Sequence, residues 1–328
     1  MTLILGEERL KGTLSMAEAI DLIEEAYQHE AVGQTYCAPR QTTTTKAGWM
    51  RLMYAVDFAA GYAAVKAFHL TQGVGVRYVV SLYRLQDGEL LAILDGRELT
   101  ALRTGAVSGV AARYMAPKDA TSVGLLGSGN QAITQLEAMA AELPLTSARV
   151  FSPTPQNRLV FAERMSERLN LPVQAFDSAE AAFSGQPVVV IATNAAGPDP
   201  VMQAAWLSDP VFVCGIGSTR MTSIEIDLDT FRAAQQTVVD TDHATEEAGD
   251  LQQALTAGVL DAEGVWTLAE LVERRPEPPR KGITVFKSIG SALQDLALAA
   301  GYYHRLKSRT DLIQSTDLAS LKTPKPWG

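Results

Sequence analysis

Gly127-Ser128-Gly129-Asn130-Gln131-Ala132 has the residue types and spacing to hold a pyrophosphate. Gly127 permits a sharp turn after the apolar run Val123-Gly-Leu-Leu126. Gly129 lacks a Cβ, so a phosphate can approach the main chain. Ala132 is the third small position, where helix and strand pack closely. Apolar residues then recur at helical spacing, at Ile133, Leu136, Met139 and Ala140. The helix start presents free N–H groups and a partial positive charge to an anion. Three cations earlier in the chain could hold the second reactant. Lys66 lies in the apolar run Ala63-Ala-Val-Lys-Ala-Phe68, where an ammonium is costly unless it is paired or functional. Arg40, after Pro39, and Arg103, in Leu102-Arg-Thr-Gly-Ala106, offer planar forks suited to a carboxylate. A structural ion pair is the plainer reading of each.

The stretch Phe151-Ser-Pro-Thr-Pro-Gln-Asn-Arg158 bears on which dinucleotide binds. A site for NAD usually places Asp or Glu here, on the ribose hydroxyls. No acid occurs, and Ser152, Thr154 and Arg158 suit a 2′-phosphate. NADP(H) is therefore favoured, with NAD(H) as the alternative. The plainer reading is a surface turn in which Pro155 starts a helix.

The elements that must position these residues follow from pattern. Ala148–Ser152, Pro187–Thr193, Val211–Ile216, Thr237–Asp240 and Ile283–Phe286 read as strands, and Gln156–Leu169 as a helix. The nearly continuous apolar run Pro187–Thr193 suits a parallel strand covered on both faces. Before the glycine motif, Ser15-Met-Ala-Glu18 is a capping box opening a helix with Ile20, Ile23, Tyr27 and Ala31 on one face. Strands are expected at Gln41–Lys46, Trp49–Phe58, Tyr62–Leu70, Tyr78–Arg84 and Leu90–Leu94. The threonine run in the first of these reads as a solvated face. Helices are expected at Glu98–Met115, where Gly105 and Gly109 permit close packing, and at Ser291–Leu306. His69, three residues from Lys66, falls on the opposite face of its strand. The expectation is an α/β protein: a Rossmann-type doubly wound dinucleotide-binding domain at 117–299, plus an α+β substrate and dimerisation domain from 1–116 with 300–328.

Composition narrows the class. The chain has 328 residues, is 47% hydrophobic and carries a net charge of −9. That suits two domains with sizeable cores and argues against nucleic acid as a partner. No apolar run is long enough to span a bilayer, and the N-terminus lacks the pattern of a secretory signal, so a cytoplasmic location is expected. Cys37 and Cys214 do not make a disulfide framework. The four histidines show no ligand spacing, so no metal site is expected.

Arg40 after a proline, Gly61–Phe68 with Lys66, Leu102–Ala106, Val123–Ala132, Gly217 with Glu225-Ile-Asp227, and Val285-Phe-Lys-Ser-Ile-Gly-Ser-Ala-Leu-Gln-Asp-Leu-Ala297 occur together and in this order. The chain thus resembles the ornithine cyclodeaminase/μ-crystallin family over nearly its whole length. The resemblance implies a homodimer, a nicotinamide cofactor, and amino acids or their imines as substrates. It places Arg40, Lys66 and Arg103 at the substrate and Thr104 near the cofactor phosphates. Further cofactor contacts are expected from Thr193, Gly217, Lys287 and Ser288. Where cyclodeaminases and several dehydrogenases of the family carry Asp, two residues after the glycine, this chain has Thr219. A threonine cannot act as a carboxylate base. The resemblance therefore implies reduction of a preformed C=N bond in a cyclic 2-imino acid, Δ1-pyrroline-2-carboxylate or Δ1-piperideine-2-carboxylate, giving proline or pipecolate. Arg40 and Arg103 would hold the carboxylate, and Lys66, or water held by it and Thr219, would supply the proton. The alternatives are an alanine dehydrogenase-like enzyme, an ornithine or lysine cyclodeaminase, and a cofactor-bound protein that only binds a small ligand.

Overall fold

The computed structural model describes residues 2–217, 221–309 and the short strand Gln314–Ser315. The chain forms two compact units. One comprises Met1–Ser15, Gly33–Thr100 and Ala292–Gly328; the other comprises Met16–Val32 and Ala101–Ser291.

The first unit is built on a mixed sheet. Strands Gly48–Asp57, Tyr62–Thr71, Gly75–Arg84 and Leu90–Asp95 form an antiparallel meander. Thr2–Leu5, which sequence pattern did not suggest, adds in parallel to Leu90–Asp95. Thr35–Cys37 and Gln41–Thr45 both pair with Gly48–Asp57. Period-two alternation sets the faces. Ala64, Lys66 and Phe68 are buried beneath helix Ala292–Leu306, whereas Val65 and His69 point outward. The threonine strand is exposed throughout, as a solvated face requires.

The second unit has an all-parallel sheet of eight strands. Their spatial order is Val173–Ala175, Ser147–Phe151, Ser122–Leu126, Val188–Ile191, Val211–Gly215, Ile283–Lys287, Ala234–Val239 and Val265–Thr267. The order reverses direction between Ser122–Leu126 and Val188–Ile191, the place where doubly wound sheets open a crevice at their carboxyl ends. Both strands are buried along most of their length, which explains their unbroken apolar composition. Helix Asn130–Glu142 follows the first of them and helix Pro155–Leu169 follows Ser147–Phe151, with Pro155 at its first turn. The last strand and the capped helix Leu268–Arg274 escaped sequence pattern because both are short.

The units divide differently from the expected 1–116 with 300–328 and 117–299. Helix Met16–Ala31 belongs to the second unit. Its Ile20 lies where a side chain on Gly109 would have to stand, and its Tyr27 hydroxyl donates to the Asp240 carbonyl at 2.8 Å. The C-terminal helix belongs to the first unit from its first turn, because Asp295 already pairs with Lys66.

Helix Met16–Ala31 also carries a strained charge. Burial, then the nearby Asp242 and Asp240 carboxylates, push the Glu30 carboxyl up from its ordinary 4.5 to about 7. The folded protein therefore holds this proton more tightly than the unfolded chain, and stability declines as pH rises from about 4.5 to about 7. Glu30→Gln mimics the protonated form. It should raise the melting temperature at pH 8 and give no gain at pH 4; equal melting of the two proteins at pH 8 would refute this.

Candidate active site

The glycine motif folds as its spacing predicts. Gly127 has φ +112°, a left-handed value that favours glycine, and any Cβ there would collide with the Ala192 carbonyl. Gly129 is extended and a Cβ on it would meet open space, so the main chain is approachable there. Gly129 also N-caps helix Asn130–Glu142, so no cap side chain covers the first-turn N–H groups, and no acid lies in that turn. Asn130 and Gln131 supply first-turn N–H groups, and Ala132 is fully buried. This cradle fits a dinucleotide pyrophosphate. Helix Gly96–Met115 approaches it closely. A Cβ on Gly105 would reach 2.5 Å from the Thr134 carbonyl, and Gln135 donates to the Thr104 carbonyl at 2.7 Å. Thr104 is thereby fixed beside the phosphate-binding helix.

The remaining cofactor candidates lie at the carboxyl ends of the parallel strands. Ser128 and Ser152 share a hydroxyl hydrogen bond of 2.9 Å. Thr154 caps helix Pro155–Leu169 by position but makes no side-chain cap bond. The Arg158 guanidinium donates to the Ser152 carbonyl at 3.0 Å and to Asp177 at 2.6 Å. Arg158 thus already has an anionic partner, as the plainer reading held, but the Asp177 side chain is 98% exposed. An ion pair open to water on one side is weak.

Farther along the sheet, Lys287 is fully enclosed between Glu225, at 3.2 Å, and Asp250, at 2.9 Å. Burial alone would lower the pKa of this ammonium, but the Asp250 and then the Glu225 carboxylates outweigh it and the shift is upward. Glu225 also accepts a hydrogen bond from the Thr193 hydroxyl. Gly217 has no room for a side chain, because a Cβ would meet both Glu225 and the Thr193 main chain. The Ser288 hydroxyl donates to Asp240 at 2.6 Å. Thr193, Lys287 and Ser288 therefore spend their side chains on internal partners, and their main chain shapes the crevice. Thr219 lies outside the described residues.

In the first unit, Lys66 is almost wholly buried. Its ammonium donates to Asp295 and to the Thr100 hydroxyl, each at 2.8 Å, and lies 5.3 and 5.1 Å from the ring centres of Phe68 and Tyr78. Both side chains of the pair are 1% exposed. A carboxylate, a hydroxyl and two aromatic faces thus surround the nitrogen, the set of partners that suits a cation. Arg40 immediately precedes Gln41, which pairs with Leu52; the next residue, Met53, is the register partner of Lys66. Arg40 thus lies in the connection between two strands that both pair with Gly48–Asp57, the neighbour of the Lys66 strand. In the second unit, Arg103 is 8% exposed and lays its guanidinium against Gly290.

Four acids that complete these arrangements were not singled out from sequence: Asp177, Asp240, Asp250 and Asp295. Asp295 had a readable signal. It is the one acid of helix Ala292–Leu306, and its helical neighbours Ala292, Leu298 and Ala299 are all buried. A lone carboxylate on an apolar stripe requires a cationic partner.

The sequence profile of the ornithine cyclodeaminase/mu-crystallin family matches residues 1–310. The chain belongs to this family and is an NAD(P)-dependent oxidoreductase acting on C–N bonds. It is 29% identical to the alanine dehydrogenase of Archaeoglobus fulgidus, over 94% of this chain and 96% of that one. The solved Δ1-pyrroline-2-carboxylate reductase of Thermococcus litoralis, in complex with NADH and L-proline, superposes with a TM-score of 0.90 at 29% identity, covering 95% of this chain and all of that one. An archaeal alanine dehydrogenase dimer with bound NAD superposes with a TM-score of 0.87 at 28% identity, covering 95% and 99%.

The Lys66–Asp295 pair predicts a strong coupling. Removing one partner of a buried pair costs about 3–5 kcal/mol, because the other charge is left uncompensated. Lys66→Met and Asp295→Leu should each destabilise by roughly that amount, and the double variant should lose much less than their sum. Additive losses in urea melts would show that the two charges do not depend on one another.

Proposed function

We propose that this enzyme uses NAD(P)H to reduce a cyclic 2-imino acid, Δ1-pyrroline-2-carboxylate or Δ1-piperideine-2-carboxylate, to proline or pipecolate. The observation that carries the reading is the buried Lys66 side chain, whose nitrogen donates to Asp295 and to Thr100. A preformed C=N bond needs no activated water or ammonia, only a proton at nitrogen and a hydride at carbon. Arg40 and Arg103 hold the substrate carboxylate by paired hydrogen bonds. Lys66 gives its proton to the imine nitrogen, and the iminium so formed is the better hydride acceptor. The bound dinucleotide supplies that hydride. Lys66 is left as the neutral amine and is protonated again after product release. In sequence, Thr219 takes the position at which cyclodeaminases of the family carry an Asp, and a threonine cannot act as a carboxylate base.

NADP(H) remains the favoured cofactor in this reading. No acid stands at the end of strand Ser147–Phe151, and the exposed Asp177 carboxylate can yield Arg158 to a 2′-phosphate. The outward sheet face of the first unit supports a homodimer. Tyr36, Met50, Leu52, Tyr54, Val65 and Val79 form an exposed apolar patch there. Leu52→Arg should halve the sedimenting mass, and an unchanged mass would remove this face from the interface.

The length of the match to an alanine dehydrogenase favours a second reading, reductive amination of a 2-oxo acid with free ammonia. NADH and NADPH oxidation should be followed with each cyclic imine, and with pyruvate with and without ammonium. The proposal expects turnover of a cyclic imine without ammonium, faster with NADPH. Turnover confined to pyruvate plus ammonium would refute it.

A further inference from the structure

We propose that Asp240 is a positioning residue for substrate binding, acting on Arg103 through the loop at residues 288–290. This rests on the reading above that Arg103 holds the substrate carboxylate.

The sheet register creates the arrangement. Strands Ala234–Val239 and Ile283–Lys287 run parallel with Val239 opposite Lys287, so Asp240 emerges beside Ser288. Its carboxylate is 1% exposed. One oxygen accepts from the Ile289 N–H at 3.0 Å, and the other from the Ser288 hydroxyl at 2.6 Å and the Gly290 N–H at 2.7 Å. Three consecutive residues are thus fixed by one side chain. Asp240 is itself fixed from behind, since its carbonyl accepts from the buried Tyr27 hydroxyl at 2.8 Å.

Gly290 transmits this to Arg103. It has φ +85°, and a Cβ on it would lie 2.6 Å from one Arg103 terminal nitrogen, 2.9 Å from the other and 3.1 Å from the central guanidinium carbon. Both terminal nitrogens are nearer than the central carbon, so the forked edge of the guanidinium abuts the bare Gly290 main chain. If the loop shifts, this contact shifts with it. A carboxylate clamp is sensitive to such displacement, because a misplacement near 1 Å can cost on the order of a hundredfold in rate. An aspartate suits this role. As an ionised carboxylate it only accepts, and all three loop groups donate.

The test compares Asp240→Asn, Gly290→Ala and Arg103→Met in the full-length enzyme. Steady-state KM and kcat are measured with the cyclic imine, and NADPH affinity by quenching of protein fluorescence. In Asp240→Asn an amide N–H₂ faces loop donors, and in Gly290→Ala the added Cβ displaces the guanidinium. Both should raise the imine KM about tenfold or more while NADPH affinity stays within about twofold. Ser288→Ala, which removes one of three donors, should give a smaller change of the same kind. If Arg103→Met raises the imine KM but Asp240→Asn and Gly290→Ala do not, this inference falls while the reading of Arg103 stands. If Arg103→Met leaves the KM unchanged, the reading itself falls and the inference with it. Equal losses of imine and NADPH binding in Asp240→Asn would mean that the aspartate only holds the fold. Should Asp240→Asn fail to fold, Ser288→Ala decides, since it removes one of the three donors to Asp240 and leaves the loop main chain unchanged.

Discussion

A charge removed from water must find its opposite or a full set of hydrogen bonds, and this requirement organises the protein. Lys66 meets it with Asp295 and Thr100, and Lys287 with Glu225 and Asp250. Asp240 meets it with three donors from a single loop. Each of these groups is nearly or wholly buried, so each interaction is shielded from competing water. The result is polar groups held in one geometry before any ligand arrives, which is what binding and catalysis both reward.

The parallel sheet of the second unit gives this requirement a location. All eight strands point the same way, so the loops that follow them gather at one edge. Gly127, Ser152, Thr193, Gly217 and the 288–290 loop all sit just beyond strand ends. Close approach explains the glycines. Gly127 abuts the Ala192 carbonyl, Gly217 abuts Glu225 and Thr193, and Gly290 carries Arg103. Gly129 differs from these, because the space beside it is open for a ligand. The same edge can therefore be rigid at three points and receptive at a fourth.

Much of this was legible in the sequence because periodicity reports burial directly. Strand periodicity set His69 on the face opposite Lys66, and the strand bears this out, with Lys66 buried and His69 exposed. Gly127 and Gly129 announced a turn and an approach. Gly105 and Gly109 announced a tight helix contact, and Thr134 and Ile20 fill those places. What the sequence did not give was partnership across long chain separations. Asp295 lies 229 residues from Lys66, and Asp240 lies 50 residues from Gly290. Nothing local marks such pairs, and only the sheet register and helix packing bring them together. Arg158 shows the converse. Its local context suggested a phosphate ligand, while its partner Asp177 lies beyond the end of its own helix.

The central claim is the proposal that Arg40 and Arg103 hold the carboxylate of an amino or imino acid. Calorimetric titration of L-proline and of L-prolinamide into the enzyme with bound reduced dinucleotide tests it most directly, because the two ligands share a ring and differ in the anionic group. The account predicts that proline binds at least about tenfold more tightly, the scale of one charge-assisted hydrogen bond. Equal binding of the two would contradict it.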